Sequence, residues 1–321
     1  MRRLVYQIIS LLSVSLCAAF LAGCGGEPEQ TKVDLADAIG GSSIVTASDL
    51  LAFVERGESS TAKLSADISL ENEMLRITKA RDGLVLDGNG FTLSGAGDCV
   101  IRLDEGCSMV IKNITIHGGS DAIGCLGNAA IGGENVRLIG VGNGIRAAGT
   151  ITVLSGSSIE SEANIGMGIT ASGLYIEENA SLAAKGPMGG VNMSGEIQVA
   201  GGGELAAYTE ENYNALKCGG TLTLKDGSKL IAENLGEYHG AELMDLDVDG
   251  AVTIQAKGGE NAAGLFLFEQ RENIAVIGSC NPKPRFESGK GSITFVDSAE
   301  KLPSPEELNP VAPSPTPTEA P

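Results

Sequence analysis

The segment GITASGLYIEENASLAAKG, residues 168–186, carries three apolar residues at a spacing that recurs along the chain. Leu174 and Ile176 are separated by one residue, and Leu182 follows six positions after Ile176. Alternation of apolar and polar residues predicts short β-strands whose side chains point to opposite faces. Because the same skeleton recurs in neighbouring segments, the sequence predicts a repeat fold.

The position of Leu182 belongs to a column of apolar residues with a period of 20–25 residues. This first column contains Phe91, Ile114, Val136, Ile159, Leu182, Leu205, Leu230, Ile254 and Ile274. A second column, two residues later, contains Leu93, Ile116, Leu138, Ser161, Ala184, Ala207, Ala232, Ala256 and Val276. The earlier apolar pair recurs as Ile151/Val153, Leu174/Ile176, Ile197/Val199, Leu222/Leu224, Leu246/Val248 and Phe266/Phe268. A further apolar position begins many units, at Ile123, Ile145, Ile169, Val191 and Leu216.

This periodicity predicts an all-β fold in which each unit contributes about three short strands and buries its apolar face against the next unit. Leucine-rich repeats need a fixed Leu framework with Asn or Cys, and helical repeats need a 3.6-residue period; neither pattern is present. A parallel β-helix of about nine or ten rungs fits the repeat. We expect it to occupy residues 43–300.

Two segments resemble coils of the right-handed parallel β-helix of the pectin-lyase-like superfamily: LVLDGNGFTLSG (84–95) and MVIKNITIHGG (109–119). That resemblance implies a right-handed helix and a short ladder of stacked amides, because Asn113 and Asn135 each precede a residue of the first column. The later repeats also resemble Gly-rich surface repeats that are often described as carbohydrate-binding. The resemblance concerns the fold, which does not by itself define a function.

A solenoid needs a cap over its exposed apolar end. The segment TASDLLAFVERG (46–57) predicts a capping helix with Thr46 or Ser48 as N-cap and an end before Gly57. At the other end, SITFVD (292–297) predicts a last strand. Residues 301–321 are rich in Pro and predict a disordered tail.

The N-terminus has the pattern of an export signal. Arg2 and Arg3 precede an apolar run, which ends in Leu-Ala-Gly-Cys at residues 21–24. This motif resembles the lipobox of bacterial lipoproteins, which implies a signal peptide over residues 1–23 and a diacylglycerol on the Cys24 thiol. Residues 24–42 would then be a flexible tether. We expect the protein to be exported and held on the bacterial cell membrane through Cys24, facing the outside or the periplasm.

The composition excludes some partners and some kinds of site. The net charge of −19 argues against nucleic acid, whose phosphates require Lys and Arg. Five cysteines lie outside the leader, and their irregular spacing supports neither a disulfide framework nor a zinc site. We expect buried free thiols at Cys99, Cys107, Cys125, Cys218 and Cys280.

Two candidate binding sites emerge. Tyr213 and Tyr238 are one repeat apart, so their rings can form a platform for sugar beside Tyr208. The segment DLDVDG (245–250) begins like a calcium loop, with carboxylates at Asp245, Asp247 and Asp249. Position 12 of that loop is Ala256 instead of Glu, so strand alternation with the carboxylates outward is the better interpretation. No cofactor is expected, with calcium at this segment as the alternative.

We therefore predict a non-catalytic surface protein that binds glycans or acts as an adhesion or scaffold module. The alternative is an exported polysaccharide lyase or glycoside hydrolase of the pectin-lyase-like type. His117, Asp121 and Asp104 are the side chains whose convergence in a cleft would favour the enzyme. No paired catalytic carboxylates of the hydrolase pattern are present.

Overall fold

A computed structural model describes residues 42–57 and 60–308 of the chain. All of them belong to one compact unit, Asp37–Pro321. The predicted signal peptide, Cys24, the tether before Ser42 and the tail beyond Leu308 lie outside the described residues. Ser42, which the sequence placed in the tether, begins the first strand.

The fold is an all-β parallel solenoid, as the repeat predicted, and it has about 11 turns where nine or ten were expected. The first nine strands are β1 (Ser42–Ile44), β2 (Thr61–Leu64), β3 (Ile68–Ser69), β4 (Leu75–Ile77), β5 (Leu84–Asp87), β6 (Thr92–Gly95), β7 (Cys99–Leu103), β8 (Cys107–Gly118) and β9 (Asp121–Cys125). The next nine are β10 (Ala129–Gly140), β11 (Asn143–Ala147), β12 (Thr150–Val153), β13 (Ser158–Ala163), β14 (Ile169–Ala171), β15 (Gly173–Ile176), β16 (Ser181–Lys185), β17 (Val191–Met193) and β18 (Ile197–Val199). The last nine are β19 (Glu204–Thr209), β20 (Leu216–Lys225), β21 (Lys229–Asn234), β22 (Ala241–Asp249), β23 (Thr253–Lys257), β24 (Leu265–Gln270), β25 (Ile274–Asn281), β26 (Arg285–Gly289) and β27 (Ile293–Val296).

The apolar columns predicted from the sequence stack in the parallel ladders. Ile159 pairs with Leu182, and Leu182 pairs with Leu205. The same register continues from Ile114 to Ile254. These side chains are buried in one continuous core, so the repeat is stabilised by stacking between units.

The side chains of the second column become smaller along the chain, from Leu and Ile to Ser and Ala, because a neighbouring turn of the backbone packs closely against them. A Cβ on Gly190 would be 2.4 Å from the carbonyl oxygen of Ala184, and one on Gly144 would be 2.1 Å from Oγ of Ser161. Only small residues fit where glycine brings two segments this close. Ser161 is buried there and donates to the carbonyl oxygen of Gly168 at 2.8 Å.

The columns predicted for the last turns are wrong in register. Ile254 pairs with Gly278 and Ala256 with Cys280, rather than with Ile274 and Val276. Leu265 and Leu267 point inward in β24 and pair with Ala241 and Leu243, so Phe266 and Phe268 do not continue the column of Leu246 and Val248. An uninterrupted apolar run such as LFLF carries no alternation that fixes its faces.

The predicted capping helix is present as α1, Ala47–Arg56. Thr46 is its N-cap: its Oγ1 accepts from the backbone N–H of Asp49 at 3.1 Å and donates to the Asp49 carboxylate at 2.7 Å. Gly57 ends the helix at a φ of 70°, in the left-handed region that favours glycine. Leu50, Phe53 and Val54 are buried, so the helix covers the N-terminal end of the core.

Two 3-10 helices, Lys79–Arg81 and Ala299–Lys301, and a short helix α2, Pro305–Leu308, complete the described chain. The predicted last strand is β27. Asn273 donates from Nδ2 to the carbonyl oxygen of Leu308 at 2.9 Å, so the chain stays against the solenoid to residue 308. None of the helices within the described ranges is long and apolar enough to cross a membrane.

Candidate functional site

Successive turns of the solenoid meet at a corner between the strands of the first column and the strands that begin the next unit. After β19 this corner spans residues 210–215, and after β21 it spans residues 235–240. The Oδ1 atom of Asn214 accepts from the backbone N–H of His239 at 3.1 Å. Tyr213 and Tyr238 therefore occupy equivalent positions on adjacent turns, as the sequence predicted, and we call this region the tyrosine corner.

Both tyrosines of the corner reach solvent. Tyr213 is 36% exposed and Tyr238 is 49% exposed. A shallow depression of about 420 Å³ lies next to Tyr238, in the turn that contains it and the turn that follows. It is lined by Asn234, Leu235, Gly236, Glu237, Lys257, Gly258, Gly259, Glu260 and Asn261. An aromatic edge beside carboxylate, ammonium and carboxamide groups can bind a polar ligand that has apolar faces.

Two side-chain amides hold the tyrosine corner in place. Asn234 is fully buried, and its side chain donates to the Tyr213 carbonyl oxygen and accepts from the Gly236 backbone N–H. Asn214 donates from Nδ2 to Glu242 at 2.8 Å. Because these side chains connect the two turns, the positions of the tyrosines are fixed before any ligand binds.

Tyr208 lies on β19, next to the corner rather than in it. Its neighbours in the ladder are Lys185 and Glu233. Burial raises the pKa of its hydroxyl, and the nearby Glu233 and Glu204 raise the pKa further. Within the described chain, no ring contact joins Tyr208, Tyr213 and Tyr238. The three rings are therefore separate on the surface and do not form a stacked cluster.

The sequence reasoning missed the rest of the apolar surface at this corner. Val141, Ile165 and Met188 are exposed in the turns that precede Tyr213, and Leu235 is exposed in the turn of Tyr238. Ile165 donates its N–H to the Val141 carbonyl oxygen at 3.0 Å, so these turns stack. Large apolar residues next to a Gly in four corner turns, at Val141, Ile165, Met188 and Leu235, were the signal that could have revealed this ridge.

A second missed feature is a cluster of rings below Tyr238. His239 stacks on Phe266 with centroids 4.8 Å apart, and Phe266 meets Phe268 edge to face at 5.2 Å. The Nδ1 atom of His239 accepts from the Ala263 backbone N–H at 2.9 Å, so the ring is held in its neutral form. Burial lowers the pKa of His239.

Asp245, Asp247 and Asp249 lie along β22 with Leu246 buried between the first two, as strand alternation predicted. Lys225 binds Asp249 at 3.0 Å, and Arg271 lies 4.0 Å from Asp245. Residues two apart on one strand are separated by about 7 Å, so the three carboxylates do not converge. The described part of the chain holds no group of three or more acidic, His or Cys residues placed to bind a metal ion.

The structure does not bring His117, Asp121 and Asp104 into one cleft. Asp121 is 1% exposed and accepts from Nδ2 of Asn143 at 2.8 Å and from Nε of Arg146 at 2.7 Å. Asp104 is bound by Arg76. Asp104 lies about 16 Å further along the strands than Asp121, because Asp121 pairs with Cys99, five residues before Asp104.

A second depression, of about 390 Å³, follows the asparagine ladder of β8 and β10. Asn135 donates from Nδ2 to Oδ1 of Asn113 at 3.0 Å, as the resemblance implied. Thr115, Arg137 and Glu160 also line this depression. Arg137 is bound to Glu162 at 2.9 Å, so its guanidinium is already paired.

Four of the five described cysteines are buried, and Cys280 is half-buried; all five are free thiols, as expected. Burial raises the pKa of Cys125 to about 12 and those of Cys218 and Cys280 to about 11. A thiol of such high pKa is a poor nucleophile at neutral pH, so these residues are structural.

These features define a parallel β-solenoid with an exposed aromatic corner. Comparison of the chain with family models, with curated proteins and with solved structures finds no match in any of the three.

Proposed function

We propose that this protein is a non-catalytic bacterial surface protein that binds glycans through the tyrosine corner. The observation that carries the proposal is the pair Tyr213 and Tyr238. The two side chains are exposed on adjacent turns, which the amides of Asn234 and Asn214 connect, and they lie beside a polar depression.

The corner offers both kinds of contact that a sugar ring requires. The exposed tyrosine rings cover the apolar C–H face of a pyranose, and the groups of Glu237, Lys257 and Asn261 exchange hydrogen bonds with its hydroxyls. Adjacent turns are about 4.8 Å apart, so a glycan lying along the corner meets equivalent side chains repeatedly. The apolar ridge over Val141, Ile165 and Met188 extends this surface to further turns.

The same proposal includes the anchor. A diacylglycerol on Cys24 holds the exported chain on the cell membrane, because two acyl chains give stable binding where one gives marginal binding. The sequence pattern at residues 1–24 supports this step. The asparagine ladder at Asn113 and Asn135 supports the resemblance to the pectin-lyase-like superfamily.

A glycan array tests the binding site. The probe is the chain from residue 25 onward, which contains the whole compact unit Asp37–Pro321. We expect binding to at least one polysaccharide, and loss of about tenfold or more of the affinity in Tyr213→Ala/Tyr238→Ala, since each ring contributes on the order of 1 kcal/mol. The matched control is Tyr175→Ala, on β15 and outside the corner.

Binding that survives the double substitution, or that Tyr175→Ala weakens equally, contradicts the proposed site. A reducing-end assay on every bound polysaccharide accompanies the array. Release of reducing ends that His117→Ala abolishes contradicts the non-catalytic part of the proposal and favours the polysaccharide-cleaving alternative.

A further inference from the structure

The two ends of the solenoid differ in how their core is covered. At the N-terminal end, α1 places Leu50, Phe53 and Val54 over the first turns. At the C-terminal end, β26 is exposed along its whole length. A solenoid end without a cap presents both apolar side chains and unpaired backbone groups to solvent.

Phe286 shows that the core continues to this open end. It belongs to an inward column that runs through Met193, Cys218, Leu243, Leu267 and Phe286. The first four members are between 0% and 3% exposed, whereas Phe286 is 39% exposed. Among the described residues, no further turn therefore covers Phe286.

The backbone of β26 has a free edge. Among the described strands it pairs with β24 alone. The sequence that follows the described chain, NPVAPSPTPTEAP (309–321), has a Pro at five of its 13 positions. Proline has no N–H to donate to a ladder, so this segment is a poor partner for the edge.

The charges of β26 are complementary to those of a second β26 running in the opposite direction. In an antiparallel pair centred on Phe286, Arg285 of each copy faces Glu287 of the other. Both cross-strand pairs are then of opposite charge, and the two Phe286 side chains meet at the symmetry axis. A parallel pair in the same register would place like charges opposite each other.

We propose that the C-terminal end binds a second copy of this chain, with β26 pairing antiparallel to β26 across a two-fold axis. The interface covers Phe286, satisfies the free edge of β26 and forms two Arg285–Glu287 pairs. The proposal does not rest on the glycan site, although the two regions touch: Arg285 donates to the carbonyl oxygen of Asn261 at 3.3 Å, and Asn261 lines the depression beside Tyr238.

Sedimentation velocity of the chain from residue 25 onward, measured across a range of concentrations, tests this interface. We expect a reversible dimer. Arg285→Glu places like charges at both cross-strand positions, so we expect it to weaken the dimer about tenfold or more. The combined variant Arg285→Glu/Glu287→Arg restores opposite charges and is expected to recover dimerisation.

Lys225→Glu is the matched control, because it makes the same change in net charge on β20, away from the end. Circular dichroism of each variant checks that the solenoid is folded. A wild-type chain that stays monomeric at all concentrations overturns the proposal. So does a dimer that responds to Lys225→Glu as it does to Arg285→Glu, or that the combined variant does not rescue. Dimerisation that occurs only after removal of residues 309–321 also overturns it, since the tail would then cover the edge.

Discussion

Asn113 and Asn135 each hold a backbone conformation that few residues adopt. Their φ angles are 49° and 52°, in the left-handed region, and their side chains are joined by a hydrogen bond at 3.0 Å. Asn tolerates this region better than other residues with a Cβ. Asn113 and Asn135 therefore stabilise β8 and β10 at these two positions in two ways, through their backbone conformation and through the hydrogen bond between their amides.

Replacement of Asn135 separates these two contributions. Asn135→Ala loses the amide and strains the backbone, so we expect the free energy of unfolding to fall by about 2 kcal/mol. Asn135→Gly loses the amide but keeps the backbone conformation at no steric cost, so we expect a smaller loss. Urea denaturation of both variants measures the difference. Equal losses would show that the backbone conformation carries no strain.

Asp121 is a buried carboxylate that is paired with Arg146 at 2.7 Å. Arg146→Ala leaves that charge with Asn143 as its remaining side-chain partner, so we expect a loss of about 2 to 3 kcal/mol of stability. Adding Asp121→Asn removes the buried charge and is expected to recover part of that loss. Chemical denaturation of the two single variants and the double variant gives the coupling energy. Strictly additive effects would contradict the ion pair.

His239 makes the stability depend on pH near neutrality. Burial lowers its pKa in the folded state, so the unfolded chain binds a proton more readily. Stability is therefore present above the unfolded pKa of about 6.5 and is lost as the pH falls below it. Denaturation between pH 7.5 and pH 5.5 measures the decline, which we expect to be smaller in His239→Gln. His117→Gln, at an exposed position, is expected to behave like the wild type.

The prediction of single residues succeeded where one side chain decides the geometry. Gly57 as the helix end follows from local chemistry, and the asparagine ladder and the alignment of Tyr213 with Tyr238 follow from the repeat period. The stacking of His239 on Phe266 did not follow, because these two residues occupy different positions of the repeat. The ion pair of Asp121 with Arg146 depends on that register in the same way.

At the scale of elements, α1 and β26 lie at opposite ends of the core and differ in what they bury. The helix is amphipathic and covers apolar residues, whereas all five residues of β26 are exposed. The helix was predictable because capping residues and a helical stripe lie within one segment. The pairing of β24 with the start of β22 was not, since LFLF is apolar on both faces.

Leu50 provides the test of the capping helix. It is fully buried, so Leu50→Ala removes apolar contacts and leaves a cavity at the end of the core. We expect a loss of about 3 kcal/mol of unfolding free energy. The neighbouring Leu51 is half-buried, and Leu51→Ala is expected to cost about 1 kcal/mol. Similar losses at the two positions, measured by thermal or urea unfolding, would mean that the helix does not seal the core.

At the scale of the described solenoid, each turn contacts mainly the turns before and after it. Stability is then a sum of turn and interface contributions, so the sequence period alone predicts the architecture. The turns at the ends lack one neighbour and depart from the period, which is why the register of Ile274 and Val276 could not be read from spacing. The functional surface is likewise hard to predict, because it needs the side chains of several turns together.

This arrangement predicts a gradient of local stability towards the open end. The backbone N–H groups of β26 and β27 have one stacking neighbour, whereas those of β16 and β19 lie between complete turns. Hydrogen–deuterium exchange read by mass spectrometry should therefore show fastest exchange at β26 and slowest exchange at the central turns.

If β26 also pairs with a second copy, its protection rises with protein concentration, while that of β16 does not change. Arg285→Glu should remove the dependence on concentration at β26 and leave the central turns as they were. A protection pattern that is uniform along the solenoid would mean that it unfolds as one cooperative unit and that its open end is no weaker than its middle.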